Sequence, residues 1–149
     1  MPKTKRIVFH PDRCKGHREC ERACSMVHFR DDAGAVHSAI RIIDGSDGAS
    51  ATVCNQCGLC IDMCPVQALK RSAGGVVTLN TKVCVGCQSC VAFCPDGVMR
   101  KTSGRMTPFK CISCGKCVKA CPEGALELAE VDIDQVAREV YSGHGGVYR

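Results

Sequence analysis

One spacing, C-x2-C-x2-C-x3-C-Pro, occurs three times in this chain and constrains its folding more than any other feature. The first copy is Cys54, Cys57, Cys60 and Cys64 with Pro65, and the second is Cys84, Cys87, Cys90 and Cys94 with Pro95. The third is Cys111, Cys114, Cys117 and Cys121 with Pro122. Each proline fixes φ and removes an amide at the exit of the turn before it. Aromatic residues make up only 4% of the chain and tryptophan is absent, so an ordinary core has little bulk to draw on. The interior must come from whatever the thiols bind, and binding is then inseparable from folding. The metal-free chain is expected to be largely unfolded.

The spacing identifies what is bound. A [4Fe-4S] cubane presents four iron corners, each wanting a soft, anionic thiolate, and this run is the bacterial ferredoxin signature for such a cluster. Two residues between ligands let a tight loop wrap the group with its amides turned inward. Gly58, Gly86, Ser113 and Gly115 are the small residues that permit the close approach and unusual dihedrals. Three residues before the fourth cysteine make one helical turn, aiming Cys64, Cys94 and Cys121 away from their own loops. Zinc ribbons need ligands in two pairs, not this run three times over. A disulfide framework belongs to a secreted chain, and the N-terminus does not read as a signal peptide.

A fourth group departs from the pattern. In Cys14-Lys-Gly-His17-Arg-Glu-Cys20-Glu-Arg-Ala-Cys24, histidine stands where the second cysteine belongs and Ser25 replaces proline. Histidine is a competent ligand through a neutral ring nitrogen. Two metals accept this donor set. A His-ligated [4Fe-4S] cluster would sit at raised potential, as histidine-ligated Rieske centres do. A structural Zn²⁺ would find one of its standard sets, Cys3His. An empty, altered site is the third reading.

The formal charge of +5 suggests nucleic acid, until the thiolates are counted. Four thiolates around an oxidised cluster leave about −2 per site, and the Cys3His site adds about −1 with either metal, so the loaded protein sits near −2. Lys3, Lys5, Arg6 and Lys70–Arg71 then read as solvated surface rather than a phosphate-binding patch. Apolar runs fall far short of the roughly 20 residues of a membrane span. Reduced cysteines in this number place the chain in a reducing cytoplasm, that of an anaerobe or a microaerobic cell.

Motif starts at Cys14, Cys54, Cys84 and Cys111 mark an internal repeat, lengthened between the first two. Each repeat predicts a cluster loop, a short helix carrying the fourth cysteine, and a hairpin: an α+β fold of tandem ferredoxin-like repeats built around metal clusters. Hairpins are expected to turn at Gly74-Gly75 and at Ser103-Gly104, and Lys5–Phe9 reads as a further strand. Residues 27–53 form a cysteine-free insertion with a strand at Ile40–Ile43, either a partner-facing loop or a cover for the clusters. Residues 131–149 read as a C-terminal helix and tail. Asp132 with Gln135 suggests a capping box, and Ile133, Val136, Ala137 and Val140 share one face, to be packed on the chain itself or on a larger subunit. Gly143, Gly145 and Gly146 end that helix ahead of Tyr148.

The four-motif layout over residues 5–128 resembles the four-cluster iron–sulfur subunits of anaerobic molybdenum and tungsten oxidoreductases, the group of the dimethyl sulfoxide reductase electron-transfer subunit. Among these, the short small subunits of tungsten aldehyde oxidoreductases and tungsten benzoyl-coenzyme A reductases are nearest in length. The resemblance implies that the first and fourth motifs form one cluster pair (residues 1–26 plus 106–130), and the second and third another (54–105). Carried over residue by residue, Cys54, Cys57 and Cys60 share a cluster with Cys94. Cys84, Cys87 and Cys90 share one with Cys64, and Cys111, Cys114 and Cys117 share one with Cys24. Cys14, His17 and Cys20 then complete the zinc or [4Fe-4S] site with Cys121, and all fifteen cysteines are used once.

The implied function is non-catalytic: single-electron transfer through low-potential clusters to or from a catalytic oxidoreductase subunit, with a soluble ferredoxin or another redox subunit at the other end. A free-standing polyferredoxin shuttle is the alternative, though such a shuttle would be strongly acidic for steering. A zinc-dependent nucleic-acid module would be colourless and salt-sensitive in binding. Enzyme motifs are missing. Val27, Gln67, Gly97 and Gly124 stand where a C-x3-C-x2-C radical motif would need cysteine, and no G-x-G-x-x-G loop occurs. His10, His28, His37 and His144 lack a legible nucleophile or acid partner and read as local structure.

Overall fold

The computed structural model describes residues 2–46 and 48–143, with side chains as far as Val140. Its helices are short because the motifs make them so. α2 (Leu59–Met63), α3 (Ser89–Phe93) and α4 (Lys116–Ala120) each span five residues and stop at Cys64, Cys94 and Cys121, which are extended C-caps. The third cysteine of each motif is therefore helical and the fourth sits just past the end, where the following proline disfavours a further helical residue. α1 (Glu19–Phe29) shows the converse. With Ser25 in place of proline, the helix runs on through Cys24 for another turn and a half.

β1 (Lys3–Phe9) pairs antiparallel with β6 (Leu126–Asp132), from Lys3 opposite Asp132 to Phe9 opposite Leu126. That sheet closes the first motif against the fourth, and α1 packs on α4 beneath it. The middle motifs repeat the arrangement in miniature. α2 packs on α3, and β4 (Leu69–Arg71) pairs with β5 (Val77–Leu79) across the expected Gly74-Gly75 turn. The mixture of short helices and small antiparallel strand pairs matches the expected α+β class.

The expected hairpin at Ser103-Gly104 shrinks to one bridge, Arg100 to Phe109. Lys101 Nζ takes the carbonyls of Thr102 and Arg105, and Pro108 holds φ away from strand values. The insertion holds two strands rather than one, β2 (Arg41–Gly45) and β3 (Gly48–Thr52).

α5 (Ile133–Gly143) starts as expected, with Asp132 Oδ1 accepting from the Asp134 amide at 2.8 Å. The reciprocal half of the capping box is replaced. Gln135 turns forward to Glu139, and the Ile133 amide donates to the Pro2 carbonyl. Val136 and Val140 are buried, and Ala137 and Val140 face Cys57, Gly58, Leu59 and Asp62, so the apolar face packs on the chain itself. Gly145, Gly146, Tyr148 and His144 lie outside the described residues.

Two apolar clusters fill the interior, and cysteines belong to both. One gathers Ile7, Ile40, Ile42, Val98, Phe109 and Leu126 around Cys20, Cys24, Cys54, Cys111 and Cys117; the other gathers Leu69, Val77 and Met99 around Cys90. Among the described residues no helix is long and apolar enough to cross a membrane.

Candidate metal centres

The four motif loops share one backbone recipe. The residue before the second ligand has positive φ in every copy: Gly16 at 78°, Gln56 at 64°, Gly86 at 72° and Ser113 at 54°. So does the residue after it: Arg18 at 58°, Gly58 at 84°, Gln88 at 69° and Gly115 at 78°. Alternating handedness of this kind folds successive amides into a concave nest that favours anions. Arg18, Gln56 and Gln88 hold this conformation without being small, and the spacing alone did not single them out. The loop around His17 has the same form as those around Cys57, Cys87 and Cys114.

Amides reach the sulfurs at fixed places. Gln56, Gly86 and Ser113 donate to Cys54, Cys84 and Cys111 Sγ at 3.3, 3.4 and 3.4 Å. Ala68, Val98 and Ala125, four residues past the fourth cysteine, donate to Cys64, Cys94 and Cys121 at 3.2, 3.4 and 3.4 Å. In the first motif that position is His28, inside α1, and its amide is committed to the helix. The insertion supplies the substitute: the fully buried Ala39 donates to Cys24 Sγ at 3.2 Å. Residues 27–53 thus cover the cysteine that the longer helix leaves without its local donor.

Three cavities gather the cysteines. One is lined by Cys14, His17, Cys20 and Cys121, and we call this group site 1. Another is lined by Cys24, Cys111, Cys114 and Cys117 (site 2), and the third by Cys54, Cys57, Cys60 and Cys94 (site 3). Cys90 lies in the field of both Cys84 and Cys64, and these three with Cys87 are the set expected from the sequence as a further site, called site 4 below. The sites follow one another. Cys117 of site 2 senses Cys20 of site 1, Cys111 of site 2 senses Cys54 of site 3, and Cys60 of site 3 senses Cys90 of site 4. At the far end Cys87 is exposed, amid the exposed Val83, Val85 and Phe93.

All the cysteines are free thiols. Burial pushes Cys20, Cys60, Cys111 and Cys117 up to about 12, and raises Cys57 and Cys90. Cys87 goes the other way, lowered by the Ser89 amide and hydroxyl. Buried thiols of this kind are inert until a positive centre draws off their protons. The donor chemistry fits an iron–sulfur group: soft ligands in fours, inward amides and apolar walls. Among the described residues no three His, Cys, Asp or Glu side chains converge closely enough to hold a single metal ion.

His17 is half-exposed, and its Nε2 lies 3.3 Å from Glu123 Oε1. Glu123 follows Pro122 of the fourth motif, so both partners stand at the mouth of site 1. Of the other histidines, His10 pairs with Glu127, and His37 stacks on Phe29 and bonds Asp31. His28 packs against Phe109 beside site 2, and burial holds it below its usual range. Arg71 corrects the reading of Lys70–Arg71 as plain surface. Its guanidinium binds the carbonyls of Gln56, Cys57 and Gly75, tying the second motif to its hairpin, while Lys70 is exposed.

Sequence comparison agrees with this geometry. A model described as the 4Fe-4S dicluster domain matches residues 53–98 and 110–145, and a second of the same description matches 76–122. The Escherichia coli (strain K12) protein named "Putative electron transport protein YsaA" is 34% identical over 84 residues, 51% of this chain and 54% of that protein. The chain thus spans about half the length of this curated relative. Two solved structures also align with it. They are the active site complex BamBC of benzoyl coenzyme A reductase with zinc (20% identity, TM-score 0.49, 99% of this chain and 95% of that one) and with benzoyl-CoA (21%, 0.45, 98% and 93%). With more than half of its length matched, the chain belongs to the 4Fe-4S dicluster domain family and is an iron–sulfur protein of the ferredoxin, electron-transport type.

Proposed function

We propose that this chain is the electron-transfer subunit of a cytoplasmic oxidoreductase complex, holding a [4Fe-4S] cluster at each of four sites. Cys54, Cys57, Cys60 and Cys94; Cys84, Cys87, Cys90 and Cys64; and Cys111, Cys114, Cys117 and Cys24 are the all-thiolate sets. Cys14, His17, Cys20 and Cys121 are the fourth. When bound, such clusters supply reversible one-electron chemistry at low potential.

The observation that carries this reading is the succession of sites, whose cysteines pack together: Cys20, Cys24, Cys54, Cys111 and Cys117 in one buried cluster, and Cys60, Cys64, Cys90 and Cys94 in the other. A series of donor sets with two different ends suits passage between two partners better than storage. The chain's own residues turn amides toward the sulfurs, bury Cys24, Cys54, Cys111 and Cys117 of the middle sites, and leave Cys87 of the last site and Cys114 of site 2 open to solvent. Support for iron rather than zinc at site 1 comes from its loop form, which it shares with the thiolate-only sites. A single zinc ion would draw four ligands to about 2.0–2.3 Å from one centre.

The partner we infer is a molybdenum or tungsten subunit, following the four-motif resemblance, and the chain itself has no catalytic role. Anaerobic purification of the native complex tests this. The chain should co-elute at fixed stoichiometry with a subunit containing molybdenum or tungsten, and that subunit should reoxidise it after reduction. A chain that runs alone on gel filtration would instead be the free polyferredoxin.

A further inference from the structure

We propose that two buried cations, Lys110 and Arg100, set the potentials of the two inner sites by standing between them. The inference rests on sites 2 and 3 holding clusters.

Lys110 precedes the first cysteine of the fourth motif, and it is almost wholly buried. Its ammonium reaches Val77 O at 2.6 Å, Cys111 O at 2.7 Å and Gln56 Oε1 at 2.8 Å. Those three bonds use its three donors, and all three acceptors are neutral, so they leave the positive charge uncancelled. Gln56 belongs to the site 3 loop and Cys111 to site 2. Gln56, itself fully buried, also donates to Cys111 O at 2.9 Å and Ser113 Oγ at 3.1 Å, and accepts from the Val77 amide. Lys110 lines the site 3 cavity beside Cys54, Cys57, Cys60 and Cys94, and through the Cys111 carbonyl it is bonded to the first ligand residue of site 2.

Arg100 repeats the placement on another side. It is buried, and it donates to the neutral oxygens of Ala39, Gly97 and Thr52. Its acceptors sit beside the inner sites: the Ala39 amide donates to Cys24 Sγ of site 2, the Gly97 amide donates to the carbonyl of Cys94 of site 3, and Thr52 lies two residues before Cys54. Each cation therefore faces both inner sites from a position where water does little to screen it. A fixed positive charge favours the more negative, reduced state, so both act to raise the inner potentials. Neither residue is a metal ligand in the proposed sets. Their shared position is the passage where the two motif pairs meet.

The test is an EPR-monitored redox titration of Lys110→Gln, Lys110→Arg and Arg100→Gln, with iron and sulfide counted in each preparation. We expect Lys110→Gln and Arg100→Gln each to move the same two cluster potentials downward. Lys110→Arg should restore the wild-type values. Unmoved potentials in variants that keep their iron would overturn the inference, as would a shift confined to other clusters. Loss of iron in both charge-removing variants would make the cations structural and overturn it too. A wild-type protein short of about four iron per site would fail the cluster reading itself, independently of this result.

Discussion

At the scale of single residues, His17 is the informative departure. It stands at the thiolate position of a loop with the same backbone form, between Gly16 and Arg18, which have positive φ as their counterparts do. His17→Cys should therefore keep one cluster in site 1 and lower the potential of that cluster alone, read by EPR titration. A zinc site would show no redox change. Glu123, 3.3 Å from Nε2, is placed to fix the ring as carboxylates do for metal-bound histidines. The cysteines, His17 and the repeat were legible because ligand spacing is local. Lys110, Arg100 and Gln56 were not, since nothing near them in sequence says that the chain will bury them between two sites. Gly75 is a smaller case of the same kind. Its φ is 89°, and any Cβ would be driven into the Lys3 carbonyl of β1. Gly75→Ala should cost about 2–4 kcal/mol through strain and overpacking, seen as faster bleaching of the iron–sulfur absorbance in guanidinium.

At the scale of elements, one serine accounts for the unlike first repeat. Ser25 lets α1 run to Phe29, its Oγ donates to Asp31 at 2.6 Å, and the insertion returns Ala39 to cap Cys24. Ser25→Pro would restore the motif on paper and yet break this helix, at about 3 kcal/mol or more. Limited proteolysis should then cut within residues 27–53, where the wild-type chain resists. β6 is legible in the sequence: Leu126 and Leu128 alternate with Glu127 along Leu126–Asp132, a period of two. The missing hairpin at Ser103-Gly104 was not readable, because the Lys101 ammonium that takes its carbonyls acts through space. α5 was legible as a helix, while its seat over Cys57–Asp62 depended on the fold. Val136 is fully buried, so Val136→Asp should lift that helix. One cluster signal should then bleach faster in oxygen than in the wild type.

At the scale of the whole molecule, folding, loading and charge are one event. Thiols held up at about 12 must each lose a proton on binding, so loading releases protons and weakens as pH falls. Anaerobic reconstitution should rise from about pH 6.5 to about pH 8.5, with proton release measured in weak buffer. A pH-independent yield would contradict that linkage. The central claim is that four donor sets hold four clusters, the His17 set included. Its most direct test is the iron, acid-labile sulfide and zinc content of anaerobically purified native protein. The account predicts about 16 iron per chain, equal sulfide and no zinc. About 12 iron with one zinc would contradict it, making site 1 a structural Cys3His centre and ending the redox series at site 2.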